Sequence, residues 1–143
     1  MSVDKVWQAL GGKKVLGARP ASALAFVPMA RGGFPYAALE ATAGSLGRSV
    51  EATAKVINIP QRTIYIRKLA KRLQPEESDR VLRLALVISD AEEVLGSREK
   101  AQRWLSKPNR ALGGETPESL LATEYGAQLV REELSRIEHV VFA

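Results

Sequence analysis

Apolar residues recur along this chain at helical spacing, in blocks separated by glycine, proline and short polar residues. Val6, Trp7 and Leu10 fit one or two amphipathic turns, ended by Gly11 and Gly12. Phe34, Pro35 and Tyr36 lead into a helix over 36–46, in which Leu39, Ala43 and Leu46 share a face and Gly47 is the stop. A long helix follows Pro75, Glu76 and Glu77, a start that suits both proline and the helix dipole, and it ends at Gly96. Val81, Leu84, Ile88, Ala91 and Leu95 line one of its faces, while Leu82, Val87 and Val94 extend around it. A helix this broadly apolar is buried on more than one side, as an intramolecular core helix, a bridge between the two halves or a contact between two copies.

Between these blocks lies a pattern with a defined turn. Ala54 is small where two helices must approach, and Ile57, Ile59 and Ile64 converge with it on one small core. Asn58 stands where the turn requires positive φ, a role asparagine fills after glycine. Pro60 fits the start of a second helix over about 61–72, with Ile66, Leu69, Ala70 and Leu73 as its expected inward stripe. This is a helix-turn-helix, whose second helix enters the major groove of DNA. Gln61, Arg62 and Thr63 are the readout candidates, because glutamine pairs bidentately with adenine, arginine with guanine, and threonine meets a base edge or a thymine methyl. Ser49, Arg67, Lys68 and Lys71 are the candidates for phosphate contacts. Arg67 departs from the usual motif, which carries an apolar residue at its place, so either the helix is rotated slightly or Ile66 takes that role.

The last block reads as three further helical pieces. Ser97 caps a helix with Ala101, Trp104 and Leu105 inward, ended by Pro108 and Asn109. Leu112 anchors a loop that Gly113 and Gly114 permit, and Thr116, Pro117 and Glu118 form a second N-terminus ahead of Leu120 and Leu121. The final helix begins near Glu124, carries Leu129, Val130, Leu134 and Ile137 at helical spacing, and holds Gly126 at a close crossing. The expectation is an all-α protein: a helical segment over 1–47, a helix-turn-helix with its connecting helix over 48–96, and a small helical domain over 97–143.

Charge divides the chain further. Residues 48–72 carry seven Lys or Arg against one acid, whereas 112–143 carry six acids against two arginines. A basic middle and an acidic end point to two different partners. With 143 residues and 45% hydrophobic composition the chain can bury one sizeable core or two small ones. Cysteine is absent, which excludes disulfides and thiolate zinc sites. No stretch reaches the roughly 20 apolar residues of a membrane span, and the apolar run 21–30 holds Pro28 and starts too late for a signal peptide. The expectation is therefore a soluble, cytoplasmic protein. The Gly11-Gly12-Lys13-Lys14 sequence lacks the spacer and hydroxyl of a phosphate-binding loop. With one histidine and no cofactor loop, neither an enzyme nor a cofactor is expected.

Periodicity alone does not account for one combination: Trp104-Leu105 with Pro108-Asn109, then Gly113-Gly114 with Thr116-Pro117 and Leu120-Leu121, then Arg136-Ile137-Glu138 close to the end. With the helix-turn-helix before it, this set resembles the Xre/MbcA/ParS antitoxins over nearly the full length. The resemblance implies the antitoxin of a type II pair whose cognate toxin has a RES domain, an ADP-ribosyltransferase-like fold that uses NAD. It also implies a homodimer that binds operator DNA and represses its own operon. In that family the C-terminal tail silences the toxin, so the toxin-binding candidates lie on the last helix and tail: Arg131, Arg136, Glu138, His139, Val141, Phe142 and Ala143. Family tails commonly place glycine where this chain has Val140. The alternative is a stand-alone helix-turn-helix regulator with a ligand- or partner-sensing C-terminal domain, which needs an enclosed pocket within 97–143.

Overall fold

The computed structural model describes the backbone of residues 1–142 and the side chains of residues 1–140. Its spine is the long helix α7 (Pro75–Leu95), on which Val81, Leu84, Ala85, Val87, Ile88 and Ala91 are each no more than 1% exposed. Burying an aliphatic side chain of this size contributes about 1.5–3 kcal/mol, so the breadth of the apolar surface makes α7 the organising element. It packs against α1 (Val3–Ala9), α3 (Phe26–Arg31) and α4 (Tyr36–Leu46) from the first half of the chain, and against α8 (Arg98–Ser106) and α9 (Glu124–Phe142) from the second. Within the chain α7 therefore bridges the two halves. One continuous core runs from Val6 to Leu134.

The N-terminal segment is more helical than its sparse pattern suggests. Ser2 caps α1 by accepting from the Lys5 N–H at 3.2 Å, a short helix α2 (Gly12–Leu16) follows, and the apolar run at 21–30 forms a 3-10 turn (Ala23–Ala25) leading into α3. Pro28 sits in the first turn of α3, where a missing N–H has no helical partner to lose. The Phe34 N–H donates to Ser78 Oγ at 2.8 Å, tying this segment to α7. Among the described residues there is no strand, only an isolated bridge between Pro35 and Arg72.

The helix-turn-helix consists of α5 (Val50–Val56) and α6 (Gln61–Ala70). Asn58 has φ 57°, the left-handed conformation the turn requires, and Ala54, Ile57, Ile59 and Ile64 are all buried. Pro60 takes the N-cap position in an extended conformation instead of opening the helix itself. Two expectations for α6 are corrected. It ends at Ala70, because Lys71 adopts φ 59° and Arg72 joins the bridge to Pro35. Its inward stripe is also misplaced: Ile66 is 46% and Leu69 67% exposed and Ala70 is exposed, leaving Leu73, beyond the helix, as the buried member. Ile64 and Arg67 set the rotation of α6, and they turn the expected stripe outward.

In the last third, Ser97 caps α8, a 3-10 turn (Arg110–Leu112) stands within the expected loop, and a second (Pro117–Leu120) stands where a short helix is expected. Gly126, near the start of α9, lies against the Leu120 carbonyl so closely that an added Cβ would overlap it. The Arg48 guanidinium pairs with Glu118, and Gln102 Nε2–H donates to the Ser45 carbonyl at 3.0 Å. These contacts fasten the C-terminal region to the segment that leads into α5.

Candidate functional site

Two exposed surfaces carry the candidate residues. On the first, Ser49 caps α5, its hydroxyl oxygen accepting from the Ala52 N–H at 3.1 Å, and its side chain is exposed. With Ile64 turned inward, the outward face of α6 consists of Arg62, Tyr65, Ile66 and Leu69, the i, i+3, i+4, i+7 set. Gln61, Lys68 and Lys71 are exposed beside it, and Thr63 is half-buried. Among the described residues, Lys55, Arg62, Lys68 and Lys71 make no ion pair.

Arg67 sits differently from the other phosphate candidates. Its Nε–H donates to Glu77 Oε1 at 2.7 Å, and the two side chains are only 22% and 11% exposed. The same Glu77 oxygen accepts from the Gln74 N–H at 2.8 Å, so one carboxylate holds both α6 and the first turn of α7. Burial pushes the Glu77 pKa up, but the hydrogen bond from Arg67, the Gln74 N–H and the charges of Arg67 and Arg80 outweigh it and bring it below the ordinary value. Arg72 is likewise engaged, its Nη1–H donating to the Gly33 carbonyl at 2.6 Å. The basic run is thus partly structural.

Two residues in this region escaped the sequence reading. Arg80 of α7 donates to the Asn58 carbonyl at 2.9 Å and braces the turn from 22 residues away. Tyr65, 65% exposed, stands one turn beyond Arg62 on the outward face. Its i+3 spacing puts it on the same face as Arg62, but only the rotation set by Ile64 and Arg67 turns that face outward.

The second surface is the outer side of α9. Arg131 Nε–H donates to Asp90 Oδ2 of α7 at 2.8 Å, while Arg136 lies 2.6 Å from Glu133 Oε2 in an electrostatic contact that lacks hydrogen-bond alignment. Glu138, His139 and Val140 are exposed. His139 Nδ1 lies 2.7 Å from the Ser135 carbonyl, a pure acceptor, so Nδ1 carries the proton. The helix continues through Val140 to Phe142, as a β-branched residue permits where a glycine would invite a break. The side chains of Val141 and Phe142, and Ala143 entirely, lie outside the described residues. Beside α9 runs an open groove of about 620 Å³, floored and walled by α7 and α9. Among the described residues no group of acids and histidine could hold a metal ion, and no helix is long and apolar enough to cross a membrane.

The two surfaces correspond to two known domains. Residues 25–86 match the antitoxin Xre-like helix-turn-helix domain, and residues 90–139 match the antitoxin Xre/MbcA/ParS C-terminal toxin-binding domain. An all-α architecture with these domains in this order defines the class: a helix-turn-helix joined to a toxin-binding module. The chain belongs to the Xre/MbcA/ParS antitoxin family. It is similar to proteins named antitoxin Xre from Yersinia enterocolitica, at 38% identity over 91 residues, and from Pseudomonas putida, at 44% over 82 residues. These matches cover 62% and 55% of this chain, and 62% and 50% of the two relatives. A third antitoxin Xre, from Photorhabdus laumondii, is 43% identical over 65 residues, 45% of this chain and 44% of that protein. The chain therefore spans about half the length of the curated relatives it matches.

Proposed function

We propose that this chain is the antitoxin of a type II pair: it binds and blocks the active site of a cognate RES-domain toxin through the end of α9, and represses its own operon through α5 and α6. The observation that carries this reading is the coincidence of the toxin-binding match with a helix whose last turns expose acidic and apolar groups. A toxin that uses NAD must bind an anionic pyrophosphate, so its pocket presents cations. Glu138 offers an acid, and Val141, Phe142 and Ala143, which follow it in the sequence, offer apolar groups, so this end of the chain is suited to occupy such a pocket and exclude NAD. Arg131 already faces Asp90 of α7 and positions the helix, Arg136 faces Glu133 within α9 itself, and His139 flanks the contact.

On the DNA side, Gln61, Arg62 and Thr63 read base edges, and Tyr65 joins them because it shares their exposed face. Ser49, Lys68 and Lys71 contact phosphates. Arg67, paired with Glu77, orients the helix. A homodimer presents two such helices to two half-sites. The groove beside α9 and the smaller cavity between α8 and the end of α4 are both open, which favours a protein partner over the enclosed small-molecule pocket that a stand-alone regulator needs. The deciding experiment is co-expression with a RES-domain toxin from the same genome. Copurification is expected, together with rescue of growth that is lost on deleting residues 137–143. Full protection by the truncated chain would refute the plug.

A further inference from the structure

The groove between α7 and α9 is more than a seam between packed helices. Its floor is apolar and only half covered: Leu82, Leu86 and Val94 of α7 recur at helical spacing and are each partly exposed, next to buried Ala127 and Leu134 of α9. Its rims are acidic. Six carboxylates line it against three cations, and each cation already faces a carboxylate of the groove. Arg83 pairs with Asp79 at 3.6 Å, Arg131 with Asp90 at 2.8 Å and the N-terminal amine with Glu93 at 4.0 Å. That leaves Glu124, Glu132 and Glu138, all exposed and without an ion pair among the described residues. The α7 wall runs from Asp79 to Val94, roughly 22 Å at 1.5 Å per residue, long enough to receive a peptide segment.

We propose that this groove seats a cationic, partly apolar segment of the toxin, so that the toxin interface extends from the tail along the α7–α9 seam. The inference rests on the antitoxin reading and deepens it. Three observations favour this occupant. Uncompensated carboxylates over a low-dielectric floor attract cations and repel anions, which excludes DNA and anionic lipid. The floor rewards apolar side chains carried by the same segment. Glu138 lines the groove and also belongs to the tail assigned to the toxin pocket, so the two surfaces are continuous. The toxin would meet two acidic features in series: the groove, which captures and orients it, and the tail, which closes its active site.

The test uses the full chain and a catalytically inactive RES-domain toxin encoded at the same locus. Asp79→Lys, Glu124→Lys and Glu132→Lys are combined in one variant, all at exposed positions. A second variant, Glu124→Gln with Glu132→Gln, removes charge without reversing it. Affinity is titrated at low and high salt, with helical content, melting temperature and self-association followed alongside. The expected result is a loss of at least roughly tenfold in toxin affinity for the reversal, a smaller loss for the neutral pair, and a flatter salt dependence in both, with folding and DNA binding retained. Toxin binding that matches wild type in the well-folded reversal variant would overturn the groove and leave the antitoxin reading intact. If the wild-type chain does not bind the toxin at all, both fall. If the reversal changes only self-association, the groove belongs to a second copy of this chain and the proposal is overturned.

Discussion

Helices α6 and α9 look like mirror images in composition, one basic and one acidic, yet they use their charge in different ways. In and around α6, Arg48, Arg67 and Arg72 are occupied by Glu118, Glu77 and the Gly33 carbonyl. Their charge is spent on holding this region to α7, to the loop between α3 and α4, and to the C-terminal region. On α9 the arginines are occupied and most of the acids stay in water. A run of like charge in a sequence is therefore not a count of available charge. What reaches a partner is the remainder after internal pairing, a few cations on α6 and a few carboxylates on α9.

The largest test of this contrast is on the acidic side. If α9 keeps its charge for a partner, deleting residues 137–143 removes toxin protection entirely while the melting temperature changes little. A growth-rescue assay paired with thermal unfolding separates the two readouts. The deletion removes half-buried Ile137 with exposed Glu138, His139 and Val140, and spares the buried Leu134 and Val130 that anchor the helix.

On the basic side the sharpest comparison is between two arginines five residues apart. Arg62→Ala takes away an exposed guanidinium that makes no ion pair among the described residues, and is expected to cost operator affinity about 1–3 kcal/mol, with relaxed specificity at one base pair. Arg67→Ala breaks a mostly buried pair and is expected to act first on stability. A footprint titration on operator DNA, run with a denaturation curve for each variant, sorts them. Equal loss of affinity at unchanged stability would return Arg67 to the DNA-contacting set.

How far the sequence foretold these roles depends on the range of the cause. The bounds of α4, the positive φ of Asn58 and the small core of Ala54, Ile57, Ile59 and Ile64 were legible because local turn and capping chemistry dictates them. Gly126 was legible as a close crossing because only a residue without Cβ tolerates the Leu120 carbonyl. The rotation of α6 was legible only as one of two readings of Arg67, the other placing Ile66 inward. Hydrophobic periodicity assumes that the inward face is apolar, and here part of that face is Arg67 held by Glu77. Glu77 was visible as a favourable acid in the first turn of α7, but nothing in its spacing showed that it also reaches α6. The Arg80 brace on the Asn58 carbonyl escaped for the same reason. Both are side-chain contacts between separate elements, and pattern arguments treat elements one at a time.

The Glu77 pair itself makes a mid-sized prediction. Glu77→Gln leaves Arg67 without its counter-charge and is expected to destabilise the fold by about 1–3 kcal/mol, read from chemical denaturation. Because the folded pKa of Glu77 lies below its ordinary value of 4.5, its contribution is complete above that value and fades as pH falls through the lowered one. Wild type should therefore lose stability more steeply than the variant below about pH 4.5. Parallel acid profiles would show that the pair contributes nothing to the difference between α6 and α9.

The smallest effect concerns the cations left over on α6. Lys68 is exposed and makes no ion pair among the described residues, so as a phosphate contact it should release about one counterion on binding. Lys68→Ala is then expected to weaken operator binding several-fold at low salt, equally for specific and unrelated DNA, and to reduce the slope of log affinity against log salt by about 0.9. Arg67→Ala, corrected for its stability loss, should leave that slope unchanged, because its charge is already neutralised by Glu77. If the two substitutions lower the slope alike, Arg67 leaves Glu77 when DNA binds, and the internal pairing that distinguishes the basic helix from the acidic one is a property of the unbound state alone.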